Sequence, residues 1–184
     1  MRSIFVGCEY AGKSTLIQML ADYYRKRNLH PHMDDHFSIP DSTLSPESRK
    51  LMMGLPRDII ERMQRMQIQY HVDIIKKYKY PILGGWNIEE AVYTGYYGSD
   101  PDSPYYENYA YTFHRLYEAQ VYEARLADLV MFHVTASDEA IARRMRENPH
   151  EYPIVKEKDI PEIKKRFAAE VEQSLFTCHH QTVV

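Results

Sequence analysis

The chain has 184 residues, 44% of them hydrophobic and 27% charged, with a formal net charge of −3. That length fits one domain of the usual ~100–200 residues, and the apolar fraction is enough for a core. The acidic balance argues against wholesale nucleic-acid binding, which needs a basic surface, and leaves only a local basic strip open.

Two cysteines, Cys8 and Cys178, are too few for a disulfide framework and fit a reducing, cytoplasmic setting. No segment approaches the ~18 apolar residues of a membrane span. The apolar run at the N-terminus is too short for a signal peptide and reads as a buried strand.

Taken in chain order, short apolar runs predict strands and longer periodic runs predict helices. Residues Arg2–Val6 read as the first strand, 7–12 as a turn, and 13–27 as a helix with Leu16, Ile17, Leu20 and Tyr24 on one face. A second strand is expected over 29–34. It contains Pro31, which cannot donate to a ladder, so it belongs at a sheet edge. Residues 38–56 read as a loop with room for one short helix, and Arg57–Lys77 as a long helix. Further strands are expected over 80–84, 129–134 and 176–184. Further helices are expected over 89–97, 107–127, Asp138–Glu147 and 161–174, with Asp159 as a nearby cap. Strands alternate with helices throughout, which implies parallel strands joined by right-handed crossovers in a three-layer α/β domain over 1–184.

One motif is specific. Gly7-Cys8-Glu9-Tyr10-Ala11-Gly12-Lys13-Ser14 fits G-x-x-x-x-G-K-[ST] without a mismatch, after an apolar strand and before a helix. The glycines permit a turn whose amides face a phosphate. Lys13 brings a positive charge to the β- and γ-phosphates, Ser14 offers a hydroxyl to Mg²⁺, and the helix start adds its dipole. ATP and Mg²⁺ are therefore the expected cofactors, held by Gly7, Tyr10, Ala11, Gly12, Lys13, Ser14 and Thr15.

With this loop at the extreme N-terminus, the chain resembles the P-loop nucleoside and nucleotide kinases, including thymidylate and deoxynucleoside kinases. Two other stretches carry the resemblance. Residues 134–144 (Val-Thr-Ala-Ser-Asp-Glu-Ala-Ile-Ala-Arg-Arg) look like the strand, turn and Arg-bearing helix that lead into the lid. Pro153-Ile154-Val155 with 159–167 looks like the helix start that follows it. The resemblance implies a five-stranded parallel sheet in the order 2-3-1-4-5 with helices on both faces, and a lid over about 143–158. It gives Arg144 the first lid-arginine position; the second falls at Asn148, which is not basic, and leaves Arg143 or Arg146 as its substitute on the donor side. A homodimer stays open, since many relatives dimerise through helices like Arg57–Lys77.

The acceptor side is less regular. Asp34-Asp35-His36-Phe37 ends the second strand, and a carboxylate there, Asp35 ahead of Asp34, looks like the base that accepts a hydroxyl proton. Relatives carry an acid followed by Arg at the end of strand 3, whereas this chain reads Gly84-Gly85-Trp86-Asn87-Ile88-Glu89-Glu90. The Arg is missing and the acids come late, so Glu89 or Glu90 is the candidate replacement. Trp86 and Arg62 are further candidates for acceptor contacts. Sixteen tyrosines, seven of them within 93–111, supply aromatic surface for a base or for packing.

The reading is an ATP- and Mg²⁺-dependent phosphotransferase for a small acceptor, a nucleoside or nucleoside monophosphate. Two alternatives remain. One is a kinase for another hydroxyl compound, including a modified base in nucleic acid. The other is a nucleotide-gated binding module without a turnover substrate.

Overall fold

A computed structural model describes residues 1–34, 43–107, 126 and 129–182. Its strands are β1 (Arg2–Val6), β2 (His32–Asp34), β3 (Pro81–Gly84), β4 (Leu129–Thr135) and β5 (Thr177–Thr182). All pair in parallel, in the order β2-β3-β1-β4-β5. The helices are α1 (Lys13–Arg25), α2 (Pro46–Met53), α3 (Arg57–Lys77), α4 (Asn87–Tyr97), α5 (Asp138–Glu147) and α6 (Ile160–Glu172). The helix expected over 107–127 lies almost wholly outside the described residues.

Central strands are buried on both faces, so their side chains alternate between two cores. Ile4 and Val6 of β1 join Leu83, Leu129 and Met131 in a core shared with Val72 and Ile75 of α3, Val92 of α4 and Phe167 of α6. Phe5 and Ile82 point the other way, onto Ile17, Ala21 and Tyr24 of α1. Their stripe is the one that the periodicity of 13–27 predicts.

Local chemistry sets the element ends. Ser45 caps α2 by accepting the Ser48 amide at 3.2 Å, with Pro46 at the first helical position. Ser137 caps α5 through the Ala140 amide at 3.1 Å, with Asp138 and Glu139 at its positive end and Arg144 and Arg146 at its negative end. After α1 the chain turns at Asn28, which takes the left-handed conformation at φ 55°.

Two expectations need correction. β2 starts at His32, so Pro31 precedes the ladder instead of interrupting it, and the strand is an edge as its position implies. Asp159 precedes α6 without making a side-chain cap. Its carboxylate is buried and accepts the hydroxyls of Tyr96 and Tyr97 at 3.0 and 3.1 Å, which tie α4 to the start of α6.

Among the described residues no helix is long and apolar enough to cross a membrane.

Candidate active site

The phosphate loop runs from the end of β1 into α1, at the carboxyl edge of the sheet. Gly7 has φ 147°, and a Cβ there would lie 2.1 Å from the Val134 carbonyl oxygen of β4. No side chain fits, so the glycine is a packing requirement as well as a turn requirement. Gly12 has φ 107° and supplies no side-chain cap to α1, whose first turn also holds no acidic residue. The amides at that helix start are thus left for an anion. Ala11 is fully buried, and Ser14 and Thr15 are exposed on the first turn.

Lys13 is the electrostatic centre. Its ammonium donates to the carbonyls of Gly7 and of Cys8, the latter at 3.3 Å. It also pairs with Glu89 Oε1 at 3.0 Å, both side chains being about one-sixth exposed. Burial disfavours the Lys13 charge, but the Glu89 carboxylate outweighs it and holds the ammonium above its ordinary pKa. Beside it, burial pushes the Cys8 thiol up to about 12, so Cys8 is an inert core residue.

Glu89 reaches Lys13 because of Gly85. This glycine has φ 120°, donates its amide to Phe5 O at 2.9 Å, and leaves its Cβ position to the Glu89 side chain, whose Oε2 lies 2.7 Å from where a Cβ would be. α4 begins at Asn87, two residues before the predicted start. Glu89 therefore sits in its first turn and folds back over the end of β3. An acid that comes late in sequence arrives at the strand end in space.

Glu90, its neighbour, is buried. Burial first, and then the Glu89 charge, raises its carboxyl to about 8. Near neutral pH Glu90 is thus mostly protonated, and Glu89 is the carboxylate that faces the lysine. Around this turn Trp86 Nε1, Asn87 Nδ2 and the Tyr93 hydroxyl are buried without a hydrogen-bond partner among the described residues.

The remaining candidates are distributed as follows. Asp34 ends β2 in register with Leu83 of β3, which sets its backbone at the same carboxyl edge. Asp35 lies outside the described residues. Trp86 is 1% exposed and packs between His71 and Phe176, at ring distances of 5.9 and 5.8 Å. Arg62 is exposed on α3. Arg144 donates to the Tyr10 carbonyl at 2.9 Å, directly on the phosphate loop. Arg146 turns outward and pairs with Glu157 at 2.6 Å. Of the tyrosine-rich stretch, Tyr93 and Tyr105 are buried in the core, and Tyr96 and Tyr97 hold Asp159.

Sequence reasoning missed Glu9. Its Oε2 accepts the amides of Ile154 and Val155 at 2.9 and 2.8 Å, and its Oε1 lies 3.3 Å from His150 Nδ1. It stands at a position where the loop motif accepts any residue, so no motif flags it. Tyr10 adopts φ 60°, a left-handed conformation that costs a non-glycine residue roughly 1–2 kcal/mol. In that conformation its ring stacks on His150 at 4.1 Å and its hydroxyl accepts the His150 amide at 2.7 Å.

Among the described residues no group of three or more His, Cys, Asp or Glu side chains is arranged to hold a metal. A nucleotide-bound Mg²⁺ does not need one, since phosphates, waters and one or two side chains complete its shell.

No family model matches the chain, and no curated relative matches it. Solved structures do. The YorR protein from Bacillus subtilis, in complex with phosphorylated GDP, superposes with a TM-score of 0.63 at 14% identity, over 99% of this chain and 85% of that one. Deoxyadenosine kinase from M. mycoides with bound dATP gives 0.63 at 16% identity, over 99% and 91%. The same enzyme with products dCMP and a flexible dCDP gives 0.62 at 14%, over 98% and 90%. The chain has a P-loop nucleoside/nucleotide-kinase-like fold.

Proposed function

We propose that this chain is a phosphotransferase that moves the γ-phosphoryl group of ATP, in the presence of Mg²⁺, to a nucleoside or nucleoside monophosphate. The observation that carries the reading is the Lys13–Glu89 pair at 3.0 Å. It joins a phosphate loop with an uncapped helix start to the end of β3, where acceptors bind in folds of this kind.

In this reading the loop amides and Lys13 hold the donor phosphates, and the exposed Ser14 hydroxyl is the protein ligand for Mg²⁺, which neutralises phosphate charge when bound. Phosphoryl transfer is mostly positioning and charge neutralisation. Lys13 and Arg144, both held against the loop, supply the charge. Glu89 takes the acidic role that relatives give to the end of strand 3, acting through metal or water. Asp35, or Asp34, orients the acceptor hydroxyl and takes its proton. The unpartnered atoms of Trp86, Asn87 and Tyr93 support a polar acceptor beside α4, because buried donors and acceptors are ordinarily paired. A homodimer through α3 belongs to the same reading. Ile59, Met66 and Tyr70 fall on one helical face and are 42%, 74% and 40% exposed.

The test is ADP formation by purified protein with ATP and Mg²⁺ across a panel of nucleosides and nucleoside monophosphates. One acceptor is expected to raise the rate well above the acceptor-free rate. A panel on which nothing raises it removes the nucleoside reading.

A further inference from the structure

We infer that Glu9 and Tyr10, two variable positions of the phosphate loop, are positioning residues that latch the segment after α5 onto the donor site. The inference rests on the reading of residues 143–158 as a lid.

Five contacts join the loop to this segment, and a sixth joins it to Arg144 of α5. Glu9 Oε2 accepts two consecutive amides, Ile154 and Val155, at 2.9 and 2.8 Å. Glu9 Oε1 faces His150 Nδ1 at 3.3 Å. The Tyr10 hydroxyl accepts the His150 amide at 2.7 Å, and its ring stacks on the imidazole at 4.1 Å and 20°. The Tyr10 carbonyl receives Arg144 Nη1 at 2.9 Å. The Glu9 side chain is only 13% exposed, so its carboxylate gives up much of its hydration for these bonds. Hydrogen bonds to a charged acceptor are the stronger kind.

The far side of the same segment is tied independently. Lys156 Nζ pairs with Asp100 at 2.5 Å, and the Lys156 amide donates to the Tyr97 hydroxyl at 3.2 Å. Residues 150–156 thus bridge the phosphate loop and the end of α4. Only the Glu9 and Tyr10 contacts come from the loop that holds the donor.

A carboxylate is not needed at this point to bind phosphate; placed among donor phosphates it is unfavourable by charge. Tyr10 holds a strained conformation that directs its ring to His150 of this segment and its carbonyl to Arg144 of α5. Backbone strain of this kind persists where the surroundings over-determine it, and it marks functional sites. Both features are explained if the loop holds the lid and, through the Tyr10 carbonyl, fixes Arg144 near the transferring group. Glu9 does not touch the reacting atoms and acts through backbone amides.

Amide hydrogen exchange followed by mass spectrometry tests this without any acceptor. In Glu9→Ala, the peptide containing Ile154 and Val155 is expected to exchange about tenfold faster or more, with β1 and α1 unchanged. Glu9→Gln keeps an oxygen acceptor and restores most of the protection. Unchanged exchange in Glu9→Ala overturns the latch, whether or not the protein proves to be a kinase. Once an acceptor is identified, Glu9→Ala is expected to lower kcat with the Kd for MgATP within about threefold. A fall in MgATP affinity with kcat intact overturns the positioning role. If exchange responds as expected but no acceptor is ever phosphorylated, the latch stands and the kinase reading fails.

Discussion

The two halves of the candidate site are built on opposite plans. On the proposed donor side, three charged side chains are engaged within the chain: Lys13 by two carbonyls and Glu89, Glu9 by two amides and His150, Arg144 by the Tyr10 carbonyl. On the proposed acceptor side, around the first turns of α4, Trp86, Asn87 and Tyr93 each bury a polar atom without a partner among the described residues, and Glu90 buries a carboxyl that is raised to about 8. The first is preorganised; its groups hold their positions through internal bonds. The second carries polar atoms whose burial costs stability, roughly 1–3 kcal/mol for each unmet group. Under the proposed function, stability is given up where an acceptor of specific shape would be read, and retained where phosphate would be held.

The largest effect expected from breaking this contrast is at its junction. Lys13→Ala removes the cation that pairs with Glu89 and that, in the proposed function, meets the phosphates. Acceptor-dependent ADP formation should fall by about 10²–10³-fold, the usual loss for one preorganised electrostatic group. A variant within threefold of the parent would detach Lys13 from the chemistry.

Glu89→Gln comes next. It keeps the shape over Gly85 but removes the charge that holds Lys13. Transfer is expected to drop about 10²-fold, while nucleotide affinity, measured by calorimetry, stays within about threefold. A loss confined to nucleotide affinity would move Glu89 wholly to the donor side.

Glu90 gives a pH prediction. Its ordinary value is 4.5 and its folded value about 8, so the folded state holds the proton more tightly than the unfolded chain. The protein therefore gains stability from this group as pH falls, and loses it progressively as pH rises from about 4.5 to about 8. Glu90→Gln, already neutral, should be the more stable protein at pH 8, on the order of 4 kcal/mol, with the difference vanishing toward pH 4.5. Thermal melts across that range read it directly. A parallel pH dependence in parent and variant would place the titration elsewhere.

The smallest effect is also the sharpest. Tyr93→Phe removes a buried hydroxyl that has no partner, so stability should hold or rise by up to about 1 kcal/mol. If that hydroxyl serves the acceptor, KM for the acceptor should rise several-fold at the same time. A loss of stability with KM unchanged would make Tyr93 an ordinary core residue.

How much of this is legible in the sequence follows from the range of the interactions. β1, the loop and α1 are contiguous and follow local rules: an apolar run, two glycines with left-handed φ, and a helical stripe. The glycine turn between strand and helix reads correctly for that reason. The remaining strands are legible from apolar runs to within three residues at their starts. Glu89 was visible only as an acid out of place. That it returns to Lys13 depends on Gly85 and on α4 starting at Asn87, neither of which periodicity fixes. Glu9 was invisible, because its partners at 150–155 lie at the far end of the chain and are backbone amides, which carry no sequence signature. Asp159 was read as a helix cap from its position, but burial against Tyr96 and Tyr97 claimed its carboxylate.

The central claim is that the loop at Gly7–Ser14 delivers phosphate to an acceptor held beside Glu89. The most direct measurement uses ATP radiolabelled at the γ-phosphate, pooled nucleosides and nucleoside monophosphates, and separation of the products. The account predicts label in a nucleotide product with the parent protein and none with Lys13→Ala. Label appearing only in inorganic phosphate, at one rate with or without the pool, would contradict it.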